Sequence, residues 1–250
     1  MIFSGDLPFQ DYCAETLGMI SISEVVSCLT VTVVWTAFFV VGGIPFGFIA
    51  GKIKGVDVRQ QGSGNIGATN VFRTVGKGWG IGVFILDFAK AWVPLALTSR
   101  YYNFESLPLP GDLFLLIGGI LAVLGHNYSP FLGFKGGKGM ATSAGMLAGL
   151  IPFSLAVCFG VWLVTFLITR YVSLASVLAS MALPVGTWIF YPGQAWLIGA
   201  SFFLAALGVW RHRSNLRKLV DGTEHRFSTK RSDPTPDTSP SKNQPADKED

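Results

Sequence analysis

The sequence predicts an all-α, polytopic membrane protein of about seven transmembrane helices, two of them short, with the N-terminus outside and the C-terminus cytoplasmic. Three observations carry this. Half of the 250 residues are apolar and only 14% are charged, where a soluble domain carries about a quarter. The uncharged residues gather into runs near the ~20 residues that a spanning helix needs. The cations between those runs fall almost entirely on one side.

Residues 1–24 hold Asp6, Asp11, Glu15 and Glu24 and no Lys or Arg. A signal peptide opens on a basic region, so this stretch reads as an extracytoplasmic N-terminal segment. The first span runs from about Val25 to Ala50, the second from Trp79 to Thr98, and a short third from about Leu113 to Gly125. The apolar run Ala141 to Thr169 has 29 residues and Pro152 near its middle. Proline removes a helical hydrogen bond and clashes with the preceding turn, so the run reads as two short helices broken near Ile151 and Pro152. Val172 to Tyr191 and Gln194 to Trp210 complete the set. Pro108, Pro110 and Gly111 mark one outer turn and Tyr191-Pro192-Gly193 another. The membrane domain therefore covers 25–227. Residues 228–250, rich in Ser, Thr, Pro, Asp and Lys, are expected to be a disordered cytoplasmic tail.

Sidedness depends on the break at Pro152. With seven spans the inner segments hold Lys52, Lys54, Arg59, Arg73, Lys77, Lys135, Lys138, Arg170 and every Lys and Arg from Arg211 onward. Only Arg100 lies outside, and Lys90 lies within a span. With six spans the basic residues after Trp210 would move outside, against the positive-inside rule.

Three polar clusters share the inner face. The first is Gly62-Ser63-Gly64-Asn65-Ile66-Gly67-Ala68-Thr69-Asn70-Val71-Phe72-Arg73. Its glycines let backbone amides crowd an anion, and its side chains add polar groups. Arg73 supplies a planar fork suited to phosphate. Gly62, Gly64 and Gly67 match the dinucleotide fingerprint in spacing, but the stretch follows a membrane helix and lacks a strand-helix-strand unit. The second cluster contains Gly125, His126, Asn127, Tyr128, Ser129 and Pro130, then Gly133 to Thr142 with Lys135 and Lys138 among four glycines. A helix start beside it favours phosphate. It is no Walker loop, because Gly139 stands where Ser or Thr is needed. The third cluster runs from Arg211 through His212, Asn215 and Lys218 to Gly222 and Glu224. A lipid-binding basic anchor accounts for its arginines but not for His212, Asn215 or Glu224.

Asp87 and Lys90 stand three apart inside the second span, where they share a helix face and can pair. A charge pair in a span faces the bundle interior, and here it reads as a brace for the site. Cys13, Cys28 and Cys158 have no metal-ligand spacing, and no Cys/His/Asp/Glu set suggests a metal.

Together the clusters resemble the acyl-phosphate:glycerol-3-phosphate acyltransferase family (PlsY). The family pattern Ser-Gly-Asn-x-Gly-Ala-Thr-Asn-x-x-Arg matches at Ser63 to Arg73. Gly-His followed by Phe-x-Gly-Gly-Lys-Gly-x-Ala-Thr matches at Gly125 to Thr142, and Arg-His-x-x-Asn-x-x-x-Leu-x-x-Gly-x-Glu matches at Arg211 to Glu224. Lys218 and Ala91 stand where the family usually has Arg and often has Gly, which are mild departures.

The resemblance implies seven helices with these motifs on the cytoplasmic face of a bacterial inner (plasma) membrane. It implies transfer of a fatty acyl group from acyl-phosphate to the 1-position of glycerol 3-phosphate, giving lysophosphatidate and phosphate, without metal or cofactor. The partners are those two substrates, membrane lipid and, functionally, an enzyme that makes acyl-phosphate; no nucleic acid is involved. Ser63, Arg73, Lys138 and Asn215 match family positions that handle phosphate, and the residue types of Asn65, Asn70 and Lys135 suit the same task. The attacking hydroxyl must lose a proton. His126, His212 or a substrate phosphate is the acceptor, and Ser63 joins the histidines as a catalytic candidate. Glu224 is expected to order the third motif by pairing with a cation, with Asp87 and Lys90 in support.

Three other readings fit less of the sequence. A phosphate transporter needs polar residues across the whole bilayer, and the last three spans have almost none at mid-depth. A lipid-binding scaffold leaves the first two clusters unexplained. A metal-dependent phosphotransferase needs paired carboxylates, and the inner loops between spans offer only Asp57.

Overall fold

The structure, a computed structural model, describes residues 21–107 and 109–227. Cys13, Pro108, most of the expected N-terminal segment and the expected tail fall outside those residues. The described residues form helices with no strand: α1 (Ile22–Gly43), α2 (Phe46–Ile53), α3 (Ala68–Thr74), α4 (Lys77–Tyr101), α5 (Gly111–Asn127), α6 (Met140–Leu150), α7 (Pro152–Thr169), α8 (Val172–Phe190), α9 (Ala195–Arg211) and α10 (Arg213–Val220).

Each expected span has its helix. Ser21 and Glu24 cap the start of α1 reciprocally, each side chain accepting from the other's backbone N–H. The expected break falls between α6 and α7, where Pro152 opens α7: proline has no backbone N–H, and the first helical position needs none. Among the described residues five segments are long and apolar enough to cross a membrane: Ile22–Ile53, Lys77–Tyr101, Gly111–Leu132, Pro152–Thr169 and Val172–Phe190. The pair α9 and α10, bent by 53°, makes a sixth if taken as one span, and α6 is a shorter apolar helix.

Two features depart from the expectation. The first span is broken at Ile44 and Pro45 instead of running on to Ala50. Proline biases the residue before it toward extended backbone, and Ile44 sits at φ −57°, ψ 119°. The carbonyls freed there are met from elsewhere in the fold. Ser129 Oγ donates to Gly43 O at 2.6 Å, and Lys90 Nζ donates to Ile44 O at 2.9 Å. In addition, the polar stretches hold two short helices, α3 and α10, where loops were expected.

In lipid, helix association depends on close packing and polar contacts between helices. α1 packs on α5, α4 on α6, and α8 on both α7 and α9. Glycines set the closest approaches: a Cβ on Gly125 would strike Phe39 O, and one on Gly145 would strike Phe88 O. Phe38, Leu116, Ala122, Met146 and Leu183 form the main core. A smaller core of Val58, Ile66, Val71 and Val83 lies under the first polar cluster. Phe159, Val164, Leu167 and Ile168 of α7 stay exposed, which suits a lipid-facing surface.

Candidate active site

The first cluster is built around Asn70. It is 2% exposed; its Nδ2 donates to Val58 O at 2.9 Å and Gln61 O at 3.1 Å, and its Oδ1 accepts from Ser63 N at 2.9 Å. Both carboxamide hydrogens are used by backbone, so Asn70 shapes the loop and has no donor left for phosphate. Asn65 Oδ1 accepts from Gly67 N at 2.8 Å, a local turn bond. Ser63 is half-buried on this frame and Arg73 is exposed at the end of α3.

The second cluster folds back onto the end of α5. Gly136 N donates to Asn127 O at 3.1 Å and Gly137 N to His126 O at 3.0 Å. A Cβ on Gly137 would collide with His126 Nε2, so only glycine lets the loop lie against the imidazole. Behind the loop, Lys90 Nζ lies 2.8 Å from Asp87 Oδ1 and donates to His126 Nδ1 at 2.8 Å. This triad is buried. It ties α4, the α1 break and the glycine loop together, so Asp87 and Lys90 stand as the expected pair with His126 as a third member.

The third cluster supplies clamps. Arg211 Nη2 donates to Gly136 O at 3.1 Å and to Gly137 O, and its guanidinium lies 5.4 Å from the Tyr128 ring centroid. His212 is buried, and its Nδ1 lies 2.8 Å from Gly208 O. Because a carbonyl only accepts, Nδ1 carries the hydrogen, and Nε2 is the acceptor in the neutral ring. Gly222, at φ +70°, closes α10. Thr223 N bonds Lys218 O and Gly222 N bonds Leu219 O, the two bonds of a Schellman turn. That turn sends the chain back so that Glu224 reaches Asn215.

Lys138 joins the three clusters. Its Nζ donates to Asn215 Oδ1. Asn215 Nδ2 donates to Glu224 Oε1 at 2.8 Å and Oε2 at 3.1 Å, and Ser173 Oγ donates to Glu224 Oε1 at 2.7 Å. Glu224 thus orders the motif through an amide and a hydroxyl, not through the direct cation pair expected. Burial pushes the Lys138 ammonium down to about 8, with the Glu224 carboxylate opposing and Arg211, Lys218 and Arg73 adding to the drop. Those neighbours come from α3, α9, α10 and the turn after it. Lys135, by contrast, is exposed. Asp57 is held down at about 2 by hydrogen bonds from Arg59, so this loop carboxylate is engaged by its own arginine.

Ser173 on α8 and the clamping role of Arg211 were not foreseen. Ser173 has no local signal, since it lies in an apolar run. Arg211 was visible only as one basic residue among several. Among the described residues no group of three or more His, Cys, Asp or Glu could hold a metal ion.

A helical membrane protein with a half-buried lysine ringed by cations from separate segments belongs to the class that handles phosphorylated compounds at a membrane. The chain is a member of the glycerol-3-phosphate acyltransferase family, whose model, "Glycerol-3-phosphate acyltransferase", matches residues 31–222. A "Glycerol-3-phosphate acyltransferase" of Aquifex aeolicus (strain VF5) is 41% identical over 190 residues, covering 76% of this chain and 95% of its own. The crystal structure of PlsY (YgiH), an integral membrane glycerol 3-phosphate acyltransferase, in its glycerol 3-phosphate form superposes with a TM-score of 0.71 at 39% identity, covering 80% of this chain and 96% of that one. Its lysophosphatidic acid form gives a TM-score of 0.69 at 39% identity, with the same coverage.

Proposed function

We propose that this protein transfers a fatty acyl group from acyl-phosphate to the 1-position hydroxyl of glycerol 3-phosphate, at the cytoplasmic face of a bacterial inner (plasma) membrane. The carrying observation is Lys138, bonded to Asn215 and surrounded by Arg73, Arg211 and Lys218. A site with this cationic excess suits two phosphate-bearing substrates. The positive-inside distribution supports the sidedness. Acyl-phosphate must come from a separate enzyme, which would be the functional partner.

In this reading Lys138 and Arg73 bind phosphate, Ser63 orients it, and Asn215 orients Lys138. Asn65 and Asn70 serve by building the loop, and exposed Lys135 draws anions toward it. His126 is a brace, since its Nδ1 already accepts from Lys90. His212 Nε2 orients the glycerol hydroxyl. The proton of that hydroxyl leaves with the departing phosphate, so no separate base is required.

The test is phosphate release by purified protein given acyl-phosphate and glycerol 3-phosphate, with acyl-CoA as the parallel donor. Release that needs both substrates, ignores acyl-CoA and collapses in Lys138→Ala is the expected result. Turnover with acyl-CoA instead would overturn the donor assignment, and no turnover with either donor in folded protein would overturn the reading.

A further inference from the structure

Beside Lys138 the structure has a cavity that the reaction has not yet accounted for. Lys138, Met140 and Gly208 lie at its cytoplasmic-end level, and Leu147, Leu155 and Leu183 line it deeper in the bundle. From Met140 to Leu147 along α6 is about 10 Å at 1.5 Å per residue. The wall is mostly apolar; its polar members are Lys138, Ser143, Ser180 and Asn127, and of these Asn127 has its side-chain N and O buried without a hydrogen-bond partner. Asn127 lines the cavity one helical turn after Val123, is 0% exposed, and has neither Nδ2 nor Oδ1 hydrogen-bonded.

A buried carboxamide without partners is costly. Local structure gives Asn127 no reason to be polar. Its backbone O already accepts from Gly136 N, and its Oδ1 is so placed that a Cβ on Gly139 would lie 2.7 Å from it. The side chain therefore sits beside the residue that follows Lys138, where the cationic site meets the apolar cavity.

We infer that Asn127 Nδ2 donates a hydrogen bond to the carbonyl oxygen of the acyl donor and stabilises the negative charge that develops there. The inference rests on the acyl-phosphate reading above. In an acyl-phosphate the carbonyl carbon is one oxygen away from phosphorus and bonded directly to the alkyl chain. With the phosphate at Lys138 and the chain in the cavity, the carbonyl falls at their junction, beside Asn127. The glycerol hydroxyl oxygen forms a bond to the carbonyl carbon, and charge moves onto the carbonyl oxygen. The bond from that carbon to the phosphate oxygen then breaks, and phosphate leaves as hydrogen phosphate with the hydroxyl proton. A preplaced donor away from water acts strongly on such a charge.

The experiment compares wild type with Asn127→Leu, which is similar in size and removes the donor, and with Asn127→Ala, which needs no added space. Two inert ligands report on the contact without turnover: an acyl phosphonate, which keeps the carbonyl, and an alkyl phosphate of equal length, which lacks it. Expected are a fall in kcat on the order of 10²-fold, little change in KM for glycerol 3-phosphate, and loss of the acyl phosphonate's affinity advantage. Unchanged affinity for the alkyl phosphate shows that the variant is folded. If either variant folds and retains wild-type kcat, or keeps the carbonyl-dependent advantage, the inference is overturned while the acyltransferase reading stands. If wild type itself does not turn over acyl-phosphate, both fall.

Discussion

Lys138 is an ammonium whose charge is incomplete just above neutral pH, because burial has pushed it to about 8 from an ordinary 10.5. The sign can be stated for both linked properties. Between about pH 8 and 10.5 the unfolded chain holds the extra proton, so this group's contribution to stability rises with pH across that window. The proposed anion site behaves in the opposite way: its charge is nearly complete well below pH 8 and is lost as pH climbs through that value. We predict that kcat/KM for glycerol 3-phosphate falls above pH ~8, approaching tenfold per unit, and that Lys138→Arg moves this limb out of range. A limb unchanged in that variant would assign the titration to another group. Asn70 makes a different prediction at the same scale. Asn70→Ala leaves the carbonyls of Val58 and Gln61 without their donor, and should cost about 1–3 kcal/mol in thermal unfolding. It should also raise KM for glycerol 3-phosphate, because Ser63 loses its support.

At the scale of elements, the site depends on how helices stop. α1 stops at Pro45, and its free carbonyls become the points that Ser129 and Lys90 hold. α10 stops at Gly222, whose φ of +70° turns the chain so that Glu224 meets Asn215 and Ser173. An L-residue in that conformation costs about 1–2 kcal/mol. Gly222→Ala should therefore lower the melting temperature modestly and reduce activity more than that loss explains, since Glu224 no longer orients Asn215. Ser173→Ala, which removes one of the Glu224 contacts and leaves the turn alone, should reproduce part of the activity loss at nearly unchanged stability. If Gly222→Ala melts lower with full activity, the turn serves stability only.

Across the whole molecule, the Asp87–Lys90–His126 triad links the central helices to the glycine loop. Removing one member of a buried ion pair costs about 3–5 kcal/mol, whereas replacing both with apolar groups of like size can be neutral. Lys90→Met alone should destabilise strongly, and Asp87→Leu with Lys90→Met should recover much of the melting temperature. Activity should not recover with it, because Ile44 O and His126 lose their shared donor. The orientation proposed for the bundle is tested by single cysteines in a cysteine-free background. A cysteine at Lys135 or Arg217 should react with an impermeant reagent only in inverted vesicles, and one at Gln194 only in right-side-out vesicles. The reverse pattern would place the site on the outer face.

The sequence by itself determined the helical membrane architecture, the break at Pro152 and the three clusters, because each is written in local chemistry. Apolar run length sets where helices lie, a proline inside a run interrupts them, and glycines beside cations mark places for anions. Family membership was legible for the same reason, through three ordered motifs. Only the tertiary structure decided which cluster residues are taken up in holding the loops. Asn70 looks like a phosphate donor in sequence and Arg211 like one more residue of a basic anchor, yet their hydrogen bonds go to backbone carbonyls. Ser173 lies in an apolar run and Asn127 in the second cluster without an assigned task, yet one anchors Glu224 and the other points an unpaired carboxamide into a cavity. A residue's type states what bonds it can make. Which of them it makes depends on atoms brought near by helices far apart in the chain: Lys138 and Asn215, 77 residues apart, meet only because α9 and α10 bend at His212 beside the loop that opens α6.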